Sequence, residues 1–145
     1  MKITKALKQK NKLVKEIQSL KSKISQYVCV EEGNESPYNV HTLAAELNQR
    51  KKELIDLKVS IQTKNVNILE KMYTLSELKD TLTWMKGLPV GDTTGREYRN
   101  GEYMMIKRHS AFNVKETDEV LNKIQTQIEL IQDELDEYNS TTDID

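Results

Sequence analysis

Cysteine occurs once in this sequence, proline twice and glycine five times, and one Trp and one Phe accompany six Tyr. A lone Cys29 excludes a disulfide framework within the chain and fits a reducing compartment. So few backbone breakers leave little room for loops and favour long helices over sheets. No apolar run approaches the roughly 20 residues of a transmembrane helix, and the opening residues hold no apolar stretch of signal-peptide length. The expectation is a cytoplasmic protein with no membrane partner. Scarce aromatics and an apolar content of 37% predict a thin core. A thin core in a helical chain points to a homo-oligomer that completes its seams between subunits.

Chemical signatures are equally sparse. His41 and His109 have no metal-ligand companion at helical spacing, Cys29 has no second Cys, and neither phosphate-loop nor dinucleotide glycine pattern occurs. The carboxylate pairs Asp133-Glu134 and Asp136-Glu137 lie on a charged helical stretch, where acids ordinarily face water. The reading is a protein that is not an enzyme, with no cofactor and no metal.

What is present is periodicity. Ile3, Ala6, Lys10, Leu13, Ile17, Leu20, Ile24 and Tyr27 keep an unbroken alternation of three and four, with Lys10 alone breaking the apolar seam. That spacing holds one narrow stripe on one side of a helix and requires other helices to cover it. Val114, Thr117, Leu121, Ile124, Ile128, Ile131, Leu135 and Tyr138 repeat the pattern near the other end. Charge divides between the two: residues 1–25 carry eight Lys and one Glu, whereas residues 115–145 sum to −8. Such helices are natural packing partners. A basic arm on nucleic acid is the rival reading, and the missing aromatics and a net charge of −1 argue against it.

One helical domain is expected, with helix 1 over 4–27, helix 2 over 40–65, helix 3 over 75–86, a β-hairpin over 96–107, helix 4 over 114–138 and a partly ordered acidic tail over 139–145. Val28 and Val30 suggest a short strand after helix 1, and Gly91 to Gly95 a mobile stretch. Asn39 is the candidate N-cap of helix 2. Thr74-Leu75-Ser76-Glu77 and Asn113-Val114-Lys115-Glu116 read as capping boxes opening helices 3 and 4. Asn100-Gly101 is the favoured pair for a two-residue type I′ turn. Arg50 stands at a seam position of helix 2; such polar seam residues set register, or else line a polar cavity. The fold class is mainly α: an antiparallel, coiled-coil-like bundle with one hairpin before the last helix.

Several of these residues carry a resemblance. Met1-Lys2-Ile3 with Ala6-Leu7 and Leu13, Thr74-Leu75-Ser76-Glu77-Leu78, Ile106-Lys107 and Asn139-Ser140-Thr141-Thr142-Asp143-Ile144 resemble the septicolysin-like family of small helical bacterial and phage proteins. The chain departs from that family's Trp at Ser140 and its carboxylate at Met105, and Asn65 matches an Asn ending the second helix. The resemblance implies a helical, oligomeric fold and no reaction. Its phage members imply one use: a protein that sequesters a nucleotide immune signal in the host cytoplasm and blunts defence.

The candidate site is the irregular segment around the hairpin. It gathers Trp84, Lys86, Arg96, Tyr98, Arg99, Tyr103, Lys107 and Arg108. Arg and Lys offer donors to phosphate oxygens, and Tyr and Trp offer faces on which a base can stack. Asn65, Asn139, Thr141 and Thr142 could add neutral donors, or could equally cap helix ends. The expectation is a small anionic ligand, a nucleotide. The alternative is a structural or adaptor protein, with the tyrosines capping the core and the hairpin acting as an oligomer clasp.

Overall fold

The computed structural model describes all 145 residues. The chain is mainly helical: α1 Ile3–Tyr27, α2 Val40–Asn65, a 3-10 turn Val66–Ile68, α3 Leu69–Lys86, β1 Thr93–Arg99, β2 Glu102–Arg108 and α4 Val114–Thr141. No helix is long and apolar enough to cross a membrane. Where length suggested one domain, the chain divides into two compact units, residues 1–69 with 136–145, and residues 70–135.

In the first unit α1 packs along α2. Ala6 and Leu13 from the start of α1 meet Leu57 and Ile61 from the end of α2, so the two helices are antiparallel. The predicted seam is the buried face: Ile3, Ala6, Leu13, Ile17 and Leu20 are all buried, and Lys10 is half-buried among them. Arg50 crosses from α2 to Glu16 of α1 at 3.5 Å and also holds Glu53 at 3.1 Å. It links the two helices and, with Glu16 and Glu53, also lines a polar hollow between them. Asn39 caps α2 by accepting the Thr42 amide at 3.2 Å. The basic helix therefore takes α2 as its partner in this unit. The expected pairing of opposite charge with α4 occurs only at the chain ends.

Those ends are tied. Lys2 Nζ donates to Asp143 at 2.7 Å and to the Thr141 carbonyl at 2.7 Å, while the Ile3 amide donates to the Thr142 carbonyl at 3.0 Å. Tyr138 donates its hydroxyl to the Lys64 carbonyl at 2.9 Å. The tail expected from residue 139 is thus helical to Thr141 and bridged beyond it, where Asp143 pairs with Lys2 and the Ile144 amide donates to the Met1 carbonyl. The Lys2 ammonium holds the Asp143 carboxyl below its ordinary value. A depressed carboxyl contributes stability above its unfolded value of 3.8, lost as pH falls through the lower folded value. Hydrogen exchange at the Ile3 amide is expected to quicken as pH drops below that value, after correction for intrinsic rates, and Asp143→Asn should abolish the pH step.

In the second unit α3 and α4 run antiparallel. Lys71 meets Glu134 at 2.5 Å, and Lys86 at the other end of α3 shares a hollow with Asp118 and Leu121 of α4. Three local expectations are corrected. α3 begins at Leu69 rather than residue 75: Thr74 does not cap a helix start but donates its hydroxyl back to the Glu70 carbonyl at 2.8 Å, the mid-helix alternative open to any Thr. No strand forms at Val28 and Val30. The hairpin is longer than 96–107 at both ends, because Thr93 and Thr94, read as mobile, extend the ladder to Lys107 and Arg108.

Candidate functional site

The hairpin is set by its turn. Asn100 and Gly101 take φ of 51° and 85°, the left-handed pair that a type I′ turn requires and that matches the twist of the flanking strands. Arg99 then lies opposite Glu102, and the register runs without a bulge to Thr93 opposite Arg108. Side chains alternate between faces along a strand. One face therefore carries Thr94, Arg96, Tyr98, Tyr103, Met105 and Lys107, and the other carries Glu97, Arg99, Glu102, Met104, Ile106 and Arg108.

The two faces differ in charge. On the first, the Arg96 guanidinium lies 4.5 Å over the Tyr103 ring, and Tyr98 meets Tyr103 edge-on at 5.0 Å. Both tyrosines stay about two-thirds exposed, at 64% and 66%. Neither Arg96 nor Lys107 forms an ion pair, and no acid shares their face. On the second face Glu97 holds Arg99 at 2.9 Å and Arg108 at 2.5 Å. Arg108, and then Arg99, keep the Glu97 carboxyl below its usual range. Asp92 is likewise engaged, accepting the Ser110 amide at 2.8 Å and lying 3.0 Å from His109 Nδ1.

The candidate residues thus separate. Arg96, Tyr98, Tyr103 and Lys107 share one face; Arg99 and Arg108 are turned to the opposite face, where both pair with Glu97. Trp84 and Lys86 stand on α3, Trp84 exposed and Lys86 beside the α3–α4 hollow. Asn65, Asn139, Thr141 and Thr142 belong to the first unit, where Thr141 donates to the Glu137 carbonyl at 2.8 Å and Thr142 takes part in the bridge between chain ends. Thr94 joins the basic face without having been a candidate; two more residues of strand alternation would have found it. Beside the base of the hairpin, Thr93, Lys107, Arg108, His109 and the Pro89–Gly91 segment enclose a hollow of about 480 Å³.

A family model, described as a family of unknown function (DUF6847), matches residues 10–144. The chain belongs to this family. The DUF6847 match spans both units and carries no assigned activity. No curated protein and no solved structure matches the chain.

Proposed function

We propose that this DUF6847 chain is a non-enzymatic binding protein, assembled from several copies, whose hairpin holds a small anionic ligand of the nucleotide class. The observation that carries the reading is the segregation of charge: Arg96 and Lys107 share a face with Tyr98 and Tyr103, while Glu97 and Asp92 hold other partners and Glu102 lies on the opposite face. Along a strand, alternate side chains are about 6.8 Å apart, since each residue rises ~3.4 Å. Passing from the turn, the face offers an aromatic pair, then Arg96, then Lys107. A base would contact the rings and successive phosphates the two cations. Holding such a ligand without turning it over suits a phage protein that sequesters a host immune signal.

Isothermal titration of the purified protein with mono-, di- and triphosphates of adenosine and guanosine tests this reading. Affinity is expected to rise with phosphate number. Arg96→Ala with Lys107→Ala should weaken it by about a hundredfold or more, since a charge-assisted hydrogen bond contributes about 1.5–3 kcal/mol. No heat with any nucleotide, at low salt and high protein concentration, would remove the reading.

One observation favours the structural or adaptor reading instead. Ile55 and Val59, one turn apart on α2, are each 60% exposed. If Ile55→Asp with Val59→Asp dissociates the assembly and nucleotide affinity is absent, the helices are the working surface.

A further inference from the structure

β2 is an edge strand with nothing to blunt it. The sheet has two strands only, so each has one edge whose backbone groups pair with no other strand. Isolated hairpins of this kind are marginal in water, and exposed edges recruit further strands unless proline, a bulge or a central charge prevents it. β2 has none of these over Tyr103–Ile106, and three of its large side chains, Tyr103, Met104 and Met105, are exposed.

We propose that β2 pairs antiparallel with β2 of a second copy about a two-fold axis at Met105, joining two hairpins into a single sheet of four strands. The argument is the self-complementarity of the register. Centring on Met105 sets Glu102 against Arg108 of the second copy, Tyr103 against Lys107, and Met104 against Ile106, each occurring twice by symmetry. Opposite charges meet, a cation meets a ring and apolar meets apolar, all favourable cross-strand neighbours.

Backbone parity agrees. In a two-residue hairpin the pair flanking the turn exchanges both hydrogen bonds, and such pairs alternate along the ladder. Glu102, Met104, Ile106 and Arg108 therefore bond β1. The N–H and C=O groups of Tyr103, Met105 and Lys107 point to the free edge. These are the residues that the two-fold register places opposite one another. The β1 edge fails the same test. Centring it sets Arg96 against Arg96, a destabilising like-charge pair, and Gly95 against Glu97, with no side chain to pack.

An axis perpendicular to the sheet keeps like faces on the same side. Lys107 of the second copy then lies beside Tyr103 of the first, so each basic-aromatic face is completed by its neighbour. The strand contact stands on the register alone; the shared ligand site rests on the nucleotide reading above.

Disulfide trapping tests the contact, in the full chain and in a Cys29→Ser background. A hydrogen-bonded antiparallel pair has Cα atoms ~5.5 Å apart, within the span a disulfide bridges. Met105→Cys is expected to form linked dimer nearly completely under mild oxidation, whereas Arg96→Cys at the β1 centre should form little. Met105→Lys, which places like charges across the axis at a position 65% exposed in the single chain, should halve the subunit number in sedimentation while leaving the helical circular dichroism unchanged. Equal trapping of Met105→Cys and Arg96→Cys, or a subunit number that Met105→Lys leaves unchanged, would overturn the contact. Trapped dimer that binds no nucleotide would keep the contact and remove only the shared site.

Discussion

Leu13→Asp is expected to unfold the α1–α2 pair, seen as a large loss of far-ultraviolet helical signal at room temperature. Leu13 is 4% exposed and packs with Ala6, Leu57 and Ile61. Truncating such a Leu alone costs about 2–5 kcal/mol. Burying an unpaired carboxylate in its place adds several more, or forces its protonation. Domains of this size hold only about 5–15 kcal/mol in total, so the combined cost consumes most of it. Val14→Asp is the control. It introduces the same Asp one residue along, at a side chain 47% exposed. Its effect should lie within about 0.5 kcal/mol of neutral, as for ordinary surface positions. Equal damage from both substitutions would mean that α1 does not bury the face described here.

Gly101→Val should abolish the hairpin and leave the helices standing. Space is not the obstacle: a Cβ at Gly101 would come no closer than 4.0 Å to the Tyr98 hydroxyl. The obstacle is the backbone, whose φ of 85° a β-branched residue adopts only at a cost of about 1–3 kcal/mol. A two-stranded hairpin is marginal by itself, so that cost decides its fate. Glu97 and Ile106 are the only strand residues that are even half-buried, so little else is coupled to the strands. The expected result is loss of cross-strand nuclear Overhauser contacts between Tyr98 and Tyr103 with an unchanged helical spectrum. Asn100→Gly should be tolerated, because glycine takes the φ of 51° at that position freely. A Gly101→Val protein that kept its Tyr98–Tyr103 contacts would show that the turn does not hold the strands.

Much of this was legible in the residues. The alternation of three and four from Ile3 to Leu20 names the buried face of α1, and Asn100-Gly101 names the turn and hence the strand register. The partner of α1 was not legible. Charge pointed to α4, but a seam of apolar residues does not encode which helix covers it, and only one ion pair, Arg50 with Glu16, marks α2 as the partner by charge. Thr74 misled because a hydroxyl satisfies a helix start or an interior carbonyl equally well. At the site, nearness in sequence grouped Arg99 and Arg108 with Arg96. Strand parity separates them, and Glu97 on the opposite face claims both. Pairing Arg99 with Glu102 across the turn already places Arg96, Tyr98, Tyr103, Met105 and Lys107 on one face; the ion pairs that Glu97 makes on the other face were not legible.

The first unit is discontinuous: it draws on residues 1–69 and then on 136–145, whereas residues 70–135 form the second without interruption. On the ribosome a chain ordinarily folds its N-terminal part first. Here an early segment must wait for a much later one, since Ile3 and Lys2 find their partners at Thr142, Thr141 and Asp143. The central residues, with the hairpin, are all synthesised while the opening helix still lacks its closing contacts. Completion of the first unit therefore waits until residues 136–145 have been made, and a chain cut short before residue 136 would leave Lys2 and Ile3 without these partners.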